Sequence, residues 1–142
     1  MQVLRIDHVH VEVPDRDVAA DWFQTVLGLT RHAEFAHWAE DPMGPLILAG
    51  GDGQPTLSLF ARDAGPSDRD ATIAFRVTGA DFIAFLDRAE GLRLHDRFDA
   101  PVSRAMAMDH GGSWSVYFVD PYGNRFEVTS YDVDIVAAAL AG

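Results

Sequence analysis

The chain has 142 residues, 48% hydrophobic and 11% aromatic, which is enough apolar material for one packed domain or two small modules. Its 22 acidic residues face 11 basic ones, all Arg, and the net charge of −11 argues against nucleic acid or an anionic membrane surface as a partner. Without Cys there are no disulfides or thiolate metal ligands. Neither a signal-peptide pattern nor a run of about 18 apolar residues occurs, so we expect a soluble, cytoplasmic protein.

The chain opens on a predicted strand over residues 3–13. In the stretch IDHVHVEV, apolar and polar residues alternate with the period of a strand. His8, His10 and Glu12 therefore share one face, and the valines between them share the other. This row of imidazoles is the first candidate for a functional surface.

A helix is predicted next, followed by three strands. Asp15 can cap the start of the helix and Gly28 can end it. Its apolar stripe is predicted to contain Val18, Trp22, Phe23, Val26 and Leu27. The strands are predicted near 30–38, 45–49 and 55–61. The first half of the chain thus has the order β-α-β-β-β.

The polar segment RDAGPSDRD, at 62–70, is predicted to be a linker, and the same order of elements repeats after it. A strand over 71–77 precedes a helix that ends at Gly91. The buried side of this helix is predicted to contain Phe82, Phe85, Leu86 and Ala89. Strands are then predicted at 92–98, 102–108, 113–119 and 125–131, the first two as separate strands or as one irregular strand.

The last two strands form the best-defined hairpin, because DPYGN supplies Pro121 and Gly123 for a tight turn. The tail at 132–142 is predicted to be helical.

Internal repetition decides the predicted architecture. Aligning HVHVEV with TIAFRV pairs His8 with Thr72, and aligning TLSLF with RFEVT pairs Ser58 with Glu127. In all four strands the apolar alternate residues can pack under a helix, which leaves the polar residues on the opposite face. We predict an α+β fold of two βαβββ modules, at 1–61 and 71–131. They would form an open, eight-stranded, barrel-like cup with the helices outside.

A ferredoxin-like α+β dimer is the alternative fold. It shares part of the order of strands and helices but lacks the repetition of inward polar positions.

The segments IDHVHVEVPDRDVAADWFQTVLGL and HGGSWSVYFVDPYGNRFEVTSYD resemble the opening and closing signatures of the vicinal oxygen chelate superfamily. This superfamily includes glyoxalase I, extradiol dioxygenases, and the fosfomycin and bleomycin resistance proteins. The resemblance covers nearly the whole chain and implies paired βαβββ modules with a small-molecule site inside the cup.

The resemblance also implies a divalent metal held at the four paired positions. His8 and Glu127 match ligand types at these positions, whereas Ser58 and Thr72 carry hydroxyl groups, which are poor ligands for transition ions. The expected cofactor is therefore one divalent ion (Fe, Mn, Ni, Co or Zn) or none. His10 or His110 could complete the ligand set.

A second interpretation needs no metal. His8 could hydrogen-bond Glu127 as a satisfied polar pair, or Glu127 could form an ion pair with Arg76 or Arg125. The histidines at positions 32, 37 and 95 are assigned to the surface or to loops.

Two functions follow from these interpretations. The first is a metal-free cup that binds or acts on an apolar or aromatic ligand, with His10 and His110 as candidate acid–base residues. The predicted ligand pocket contains Ser58, Phe60, Thr72, Arg76, Trp114 and Arg125. The alternative is a metal-dependent dioxygenase-like or glyoxalase-like enzyme that uses His8 and Glu127. The expected partners are a small molecule and a second copy in a homodimer.

Overall fold

A computed structural model describes residues 1–63 and 71–142. The chain forms two compact units, Met1–Gly65 and Pro66–Gly142, and each unit has one four-stranded sheet. Most of the predicted linker, residues 64–70, lies outside the described residues. In the part of the chain that is described, no helix has the length and apolar character needed to cross a membrane.

The first unit has the element order β-α-β-β-β, with a 3₁₀ helix inserted before the third strand. Its elements are β1 (Val9–Val13), α1 (Arg16–Leu27), β2 (Thr30–Arg31), the 3₁₀ helix (Ala36–Glu40), β3 (Leu46–Ala49) and β4 (Pro55–Ala61). The strand order in the sheet is β1-β4-β3-β2, and β1 pairs with β4 in parallel.

Helix α1 begins and ends where the sequence predicts. The Asp15 side chain accepts hydrogen bonds from the backbone N–H groups of Asp17 and Val18, and Gly28 takes a left-handed conformation with φ of 69°. The predicted stripe is wrong in part, because Val18 is 59% exposed. The buried face is displaced by one residue and contains Ala19, Ala20, Phe23 and Val26.

Two strand predictions in this unit are too long. Residues 3–8 are not part of β1, which starts at Val9. The partner strand β4 begins at Pro55, and proline has no N–H with which to extend the ladder. The strand predicted at 30–38 ends after Arg31, and the chain then turns into the 3₁₀ helix.

The second unit repeats this order and adds a helix at its end. Its elements are β5 (Thr72–Arg76), α2 (Gly79–Ala89), a short 3₁₀ helix (Arg104–Met106), β6 (Met108–Asp109), β7 (Trp114–Val119), β8 (Arg125–Ser130) and α3 (Val133–Ala141). The strand order is β5-β8-β7-β6, and β5 pairs with β8 in parallel. The α+β class and the paired βαβββ modules are confirmed.

The strand predicted at 92–98 is wrong, and of the strand predicted at 102–108 only Met108 lies in a strand, β6. Arg93 and Asp99 have positive φ values of 55° and 64°, which break an extended backbone. The Asp96 side chain accepts hydrogen bonds from the N–H groups of Phe98 and Ala100, so this segment is a series of turns.

Equivalent residues are paired in the two sheets, as the internal repetition predicts. His10 pairs with Ser58 in the first unit, and Ala74 pairs with Glu127 in the second. The apolar residues on the other face of the last strands, Leu57, Leu59, Phe126 and Val128, are at most 2% exposed. Their burial fixes which face of each sheet is polar.

The turn between β7 and β8 is organised by Asp120, a carboxylate that is only 3% exposed. Its side chain accepts hydrogen bonds from the N–H groups of Tyr122 and Asn124 and from the Asn124 side-chain amide. Gly123 supplies the positive φ of 88°. Burial raises the pKa of the Asp120 carboxyl above its ordinary value, although these hydrogen bonds oppose the shift.

Helix α3 packs against α2 at Gly79. The N–H of Gly79 donates to the Asp132 carboxylate at 2.7 Å. A Cβ atom at Gly79 would lie 3.0 Å from both Asp132 Cβ and Ile135 Cγ2. The close approach of the two helices therefore requires glycine here.

We predict that Gly79→Ala lowers the free energy of unfolding by about 1–3 kcal/mol, because the methyl group forces α3 away from α2. Gly91→Ala is the matched control, since its new Cβ would meet nothing closer than Arg88 O at 3.6 Å. Urea unfolding of both variants measures the difference. Equal stabilities would contradict the packing described.

We predict that Asp120→Ala costs about 1–3 kcal/mol, because it leaves buried N–H groups without an acceptor. Asp120→Asn should cost less, since its amide oxygen can still accept from the backbone.

The contribution of Asp120 to the free energy of unfolding changes with pH in a defined direction. Because the folded pKa is raised, the folded state binds the proton more tightly than the unfolded chain. The stabilisation from protonation is complete below the unfolded pKa and is lost as the pH rises through the folded one. We therefore expect the stability of wild type relative to Asp120→Asn to fall over this window in urea titrations. A constant difference would contradict the raised pKa.

Candidate functional site

The predicted site residues divide between the two units. His8, His10, Ser58 and Phe60 belong to the first unit. The second unit contains Thr72, Arg76, His110, Trp114, Arg125 and Glu127. The two predicted metal ligands, His8 and Glu127, are thus in different units.

In the first unit, His8 and His10 form a hydrogen-bonded chain with Asp7. The Nδ1 atom of His8 lies 2.7 Å from Asp7 Oδ2, and its Nε2 atom lies 3.2 Å from His10 Nε2. A carboxylate only accepts, so Nδ1 of His8 donates to Asp7, and in the neutral ring Nε2 accepts from His10. Both ring nitrogens of His8 are therefore used locally.

These residues line a cavity of about 490 Å³ in the first unit. His10 is also in ring contact with Phe60, with ring centres 4.7 Å apart. Ser58 contributes to the lining from β4, although it is only 1% exposed. The structure thus brings together the four first-unit residues named from the sequence.

One wall of this cavity is a stack of three rings. His32 lies on Phe35 with centres 4.5 Å apart and planes at 17°, and Phe35 lies on Trp38 at 4.4 Å and 6°. His32 lies in the loop after β2, within the expected assignment to the surface or a loop, but it is half-buried and its Nδ1 atom is buried. A spacing of three residues, typical of 3₁₀ turns, is the signal that could have predicted this stack.

Charged groups of both signs lie at this cavity. The carboxylates of Asp7 and Glu34 line it, and two guanidinium groups contact lining residues: Arg5 donates to Gln54 Oε1 at 2.8 Å, and Arg62 lies over the Phe60 ring at 5.3 Å. Because the carboxylates are in the lining itself, a neutral or cationic molecule suits it better than an anion.

Some buried polar atoms lack a partner. Among residues 1–63 and 71–142, the side-chain atoms Ser58 Oγ, His32 Nδ1 and Trp114 Nε1 are buried without a hydrogen bond. Two of them belong to residues that line the first-unit cavity. Because unpaired buried polar atoms are costly, these two atoms are sites where a water or a bound molecule can supply a hydrogen-bond partner.

In the second unit, Glu127 is part of a hydroxyl network. Ser115 Oγ donates to Glu127 Oε1 at 2.6 Å and also lies 3.0 Å from Thr129 Oγ1. Ser115 was not among the residues predicted from the sequence, and it reaches Glu127 because β7 and β8 are paired. Arg76, one of the expected ion-pair partners of Glu127, lies instead over the Tyr131 ring at 4.7 Å.

His110 lies at the start of the loop after β6. Its Nε2 atom is 3.2 Å from the hydroxyl of Tyr117, and both side chains are exposed. Tyr117 pairs with Glu127 across the sheet. His110 is therefore placed on a sheet that carries a predicted site residue, while its acid–base role stays a prediction.

Thr72 and Arg125 are neighbours across the β5–β8 pair and line a second cavity of about 450 Å³. Most of its lining is apolar and comes from β7, from Met108 in β6 and from the turns at 96–106, a segment for which strands and no site residues were predicted. Met106 and Met108 are part of this lining.

Among the described residues, neither unit by itself offers a complete set of metal ligands. Within either unit, the described residues contain no group of three or more His, Cys, Asp or Glu side chains that could hold a metal. His8 donates from Nδ1 to Asp7, which leaves its Nε2 atom, 3.2 Å from His10 Nε2, as the ring atom that could serve as a ligand, and Glu127 accepts a hydrogen bond from Ser115. The remaining positions implied by the resemblance, Ser58 and Thr72, offer only hydroxyl groups.

Structural comparison finds several similar proteins. The fosfomycin resistance protein FosX from Listeria monocytogenes, complexed with Mn(II) and sulfate ion, has a TM-score of 0.66 at 14% identity and covers 97% of this chain and 98% of its own. A glyoxalase/dioxygenase from Nostoc punctiforme has a TM-score of 0.62 at 20% identity and covers 90% and 91%. The oxidase ChaP-H2 has a TM-score of 0.65 at 21% identity and covers 91% and 94%. At these identities the likeness shows the fold.

Comparison with curated protein sequences gives no match. The family model described as Glyoxalase/Bleomycin resistance protein/Dioxygenase superfamily matches residues 7–118. This match includes His8 and most of both units and ends before β8. The repeated βαβββ order, the shared register and this match agree, and the chain belongs to the glyoxalase/bleomycin resistance protein/dioxygenase superfamily, also called vicinal oxygen chelate.

Proposed function

We propose that this protein binds a flat aromatic small molecule in the cavity of its first unit, without a resident metal. The observation that carries the proposal is the stack of His32, Phe35 and Trp38 beside this cavity. A planar ligand can extend such a stack by placing its ring against an exposed face. Trp38 is the outer ring of the three and is 43% exposed.

The other lining groups suit the same ligand. His10 and Phe60 present a second pair of rings, so apolar ring faces are available on the sheet as well as on the loop. The carboxylates of Asp7 and Glu34 favour a neutral or cationic molecule. The volume of about 490 Å³ is within the range of small-molecule sites.

The loop that carries Trp38 is held by Arg16 at the start of α1. Its guanidinium donates to the carbonyl oxygens of Ala39 at 3.0 Å, Asp41 at 3.1 Å, and Gly44. Gly44 has no room for a side chain, because a Cβ atom there would clash with the carbonyl oxygen of Trp38. We propose that Arg16 is a positioning residue that keeps the ring stack in place before the ligand binds.

The predicted acid–base residues extend this proposal. His10 lines the same cavity, so a bound molecule could contact its ring, whereas His110 belongs to the second unit.

We propose that the protein acts as a homodimer in the cytoplasm, as the sequence led us to expect.

We predict that 2-naphthol, a neutral planar probe, binds the purified protein and that Trp38→Ala weakens binding about 10-fold, since one lost ring contact is worth about 1 kcal/mol or more. Isothermal titration calorimetry measures both affinities. Tyr131→Ala is the control, because Tyr131 is an exposed aromatic residue of the second unit. Absence of 2-naphthol binding to wild type would overturn the proposed function.

We predict that Arg16→Gln weakens 2-naphthol binding about 3- to 10-fold, because the carbonyl groups of the loop lose a charged donor. It should also change the near-ultraviolet circular dichroism that arises from stacked Phe35 and Trp38. Added guanidinium ion should restore part of both signals. A variant that loses only global stability, with unchanged affinity and spectrum, would refute the positioning role.

A further inference from the structure

The imidazole rings of His8 and His10 face each other through the same ring atom. Their Nε2 atoms lie 3.2 Å apart, closer than the ring centres, which are 5.2 Å apart. The two residues are separated by one position, which in an extended chain puts both rings on one face. Both line the first-unit cavity, and both are exposed, so the pair is open to solvent.

The distance between these two nitrogen atoms suits a pair of metal ligands. Imidazole nitrogens bind Zn²⁺ at about 2.0–2.1 Å. An ion at this distance from two atoms that are 3.2 Å apart has an angle of about 100° between its two bonds, near the tetrahedral value of about 109°. In the neutral pair a proton lies between the Nε2 atoms. An ion can replace this proton when His10 carries its own proton on Nδ1 instead.

Asp7 prepares His8 for this role. Its carboxylate lies 2.7 Å from Nδ1 of His8 and accepts the ring proton there, which leaves the lone pair on Nε2. A carboxylate behind a ligating imidazole fixes the tautomer of the ring and raises its basicity, and this arrangement is common at metal sites. We therefore assign Asp7 as a positioning residue for His8.

The charged group that is bonded to the pair is also a carboxylate. Asp7 contacts His8 directly, and Glu34 adds a second carboxylate to the lining of the same cavity. The guanidinium groups of Arg5 and Arg62 contact other residues of this lining. A cation bound at the imidazole pair thus has a negative charge next to one of its ligands, which favours its binding.

The geometry points to a site for one exchangeable divalent transition ion, held by Nε2 of His8 and Nε2 of His10, with water completing its coordination. Cu²⁺ should bind most tightly, since nitrogen sites generally favour Cu²⁺ over Ni²⁺ and Zn²⁺. No group of three or more ligating side chains is found among the described residues, so this ion exchanges with solvent and is not a resident cofactor. The site uses neither the hydroxyl groups of Ser58 and Thr72 nor the carboxylate of Glu127, and so differs from the set that the superfamily resemblance implies.

The test is a calorimetric titration of the tag-free protein with copper(II) chloride. We expect one ion per chain, and we expect His8→Gln and His10→Gln each to weaken binding at least about 10-fold, because each leaves a single imidazole. His37→Gln is the matched control, since His37 is an exposed imidazole of the same unit and is not among the lining residues. Equal affinities of wild type and His10→Gln would overturn the proposal.

The number of coordinated imidazoles tests the same site by spectroscopy. Pulsed electron paramagnetic resonance of the copper-loaded protein should detect two imidazoles in wild type and one in His10→Gln. Asp7→Asn should weaken copper binding about 10-fold and still show two imidazoles, because it removes the positioning carboxylate and no ligand. One imidazole in wild type would refute the paired site.

Glu127→Gln separates this site from the ligand set of the superfamily. It should leave copper affinity unchanged, because Glu127 is not a ligand of the proposed site. A loss as large as that of His10→Gln would mean that Glu127 holds the ion, and would overturn the two-histidine site.

The site does not depend on the aromatic ligand of the proposed function, and the two can fail separately. If copper binds through both imidazoles while 2-naphthol does not bind to wild type, the metal site stands and the proposed function fails. If 2-naphthol binds and copper does not, the metal site alone is refuted.

Discussion

The parallel pairing between the first and last strands of each unit is the constraint on which the rest of the structure depends. Parallel neighbours cannot be joined by a tight turn, so the chain must travel through a helix and two further strands before it returns. The return strand then takes a fixed register, with His10 beside Ser58 and Ala74 beside Glu127. Since the helices cover the apolar face, the polar residues of both strands must share the other face.

The same βαβββ arrangement presents different side chains in the two units. In the first unit the polar face has two imidazoles and a serine, and an aromatic loop lies beside it. In the second unit the equivalent positions are Thr72 and Glu127, and Ser115 and Thr129 surround the carboxylate. Superfamily relatives such as FosX have been seen with Mn(II). Here two of the four repeated positions, Ser58 and Thr72, carry hydroxyl groups, and the other two carry imidazole and carboxylate groups.

Each cavity is completed by a loop, and each loop is fixed by side chains that bond to the backbone. Arg16 holds the segment that carries Trp38 by three carbonyl groups, whereas Asp96 holds the turn before Met106 by two N–H groups. Such bonds take the place of the backbone hydrogen bonds that a paired strand would make. Both segments were expected from the sequence to be strands. Segments that line the two cavities are therefore ones that depart from regular structure.

The sequence by itself determined the α+β class, the two repeated modules, the superfamily and the limits of helix α1, because these follow from local periodicity and from capping residues such as Asp15 and Gly28. It also predicted which strand residues share the polar face. Only the tertiary structure decided that Ser115 meets Glu127, that His32 stacks in a row with Trp38, and that His8 is held by Asp7 and His10. The first two depend on strand pairing and loop closure between positions with no common periodicity. The third depends on side-chain orientations at the point where β1 begins, which residue order alone does not set.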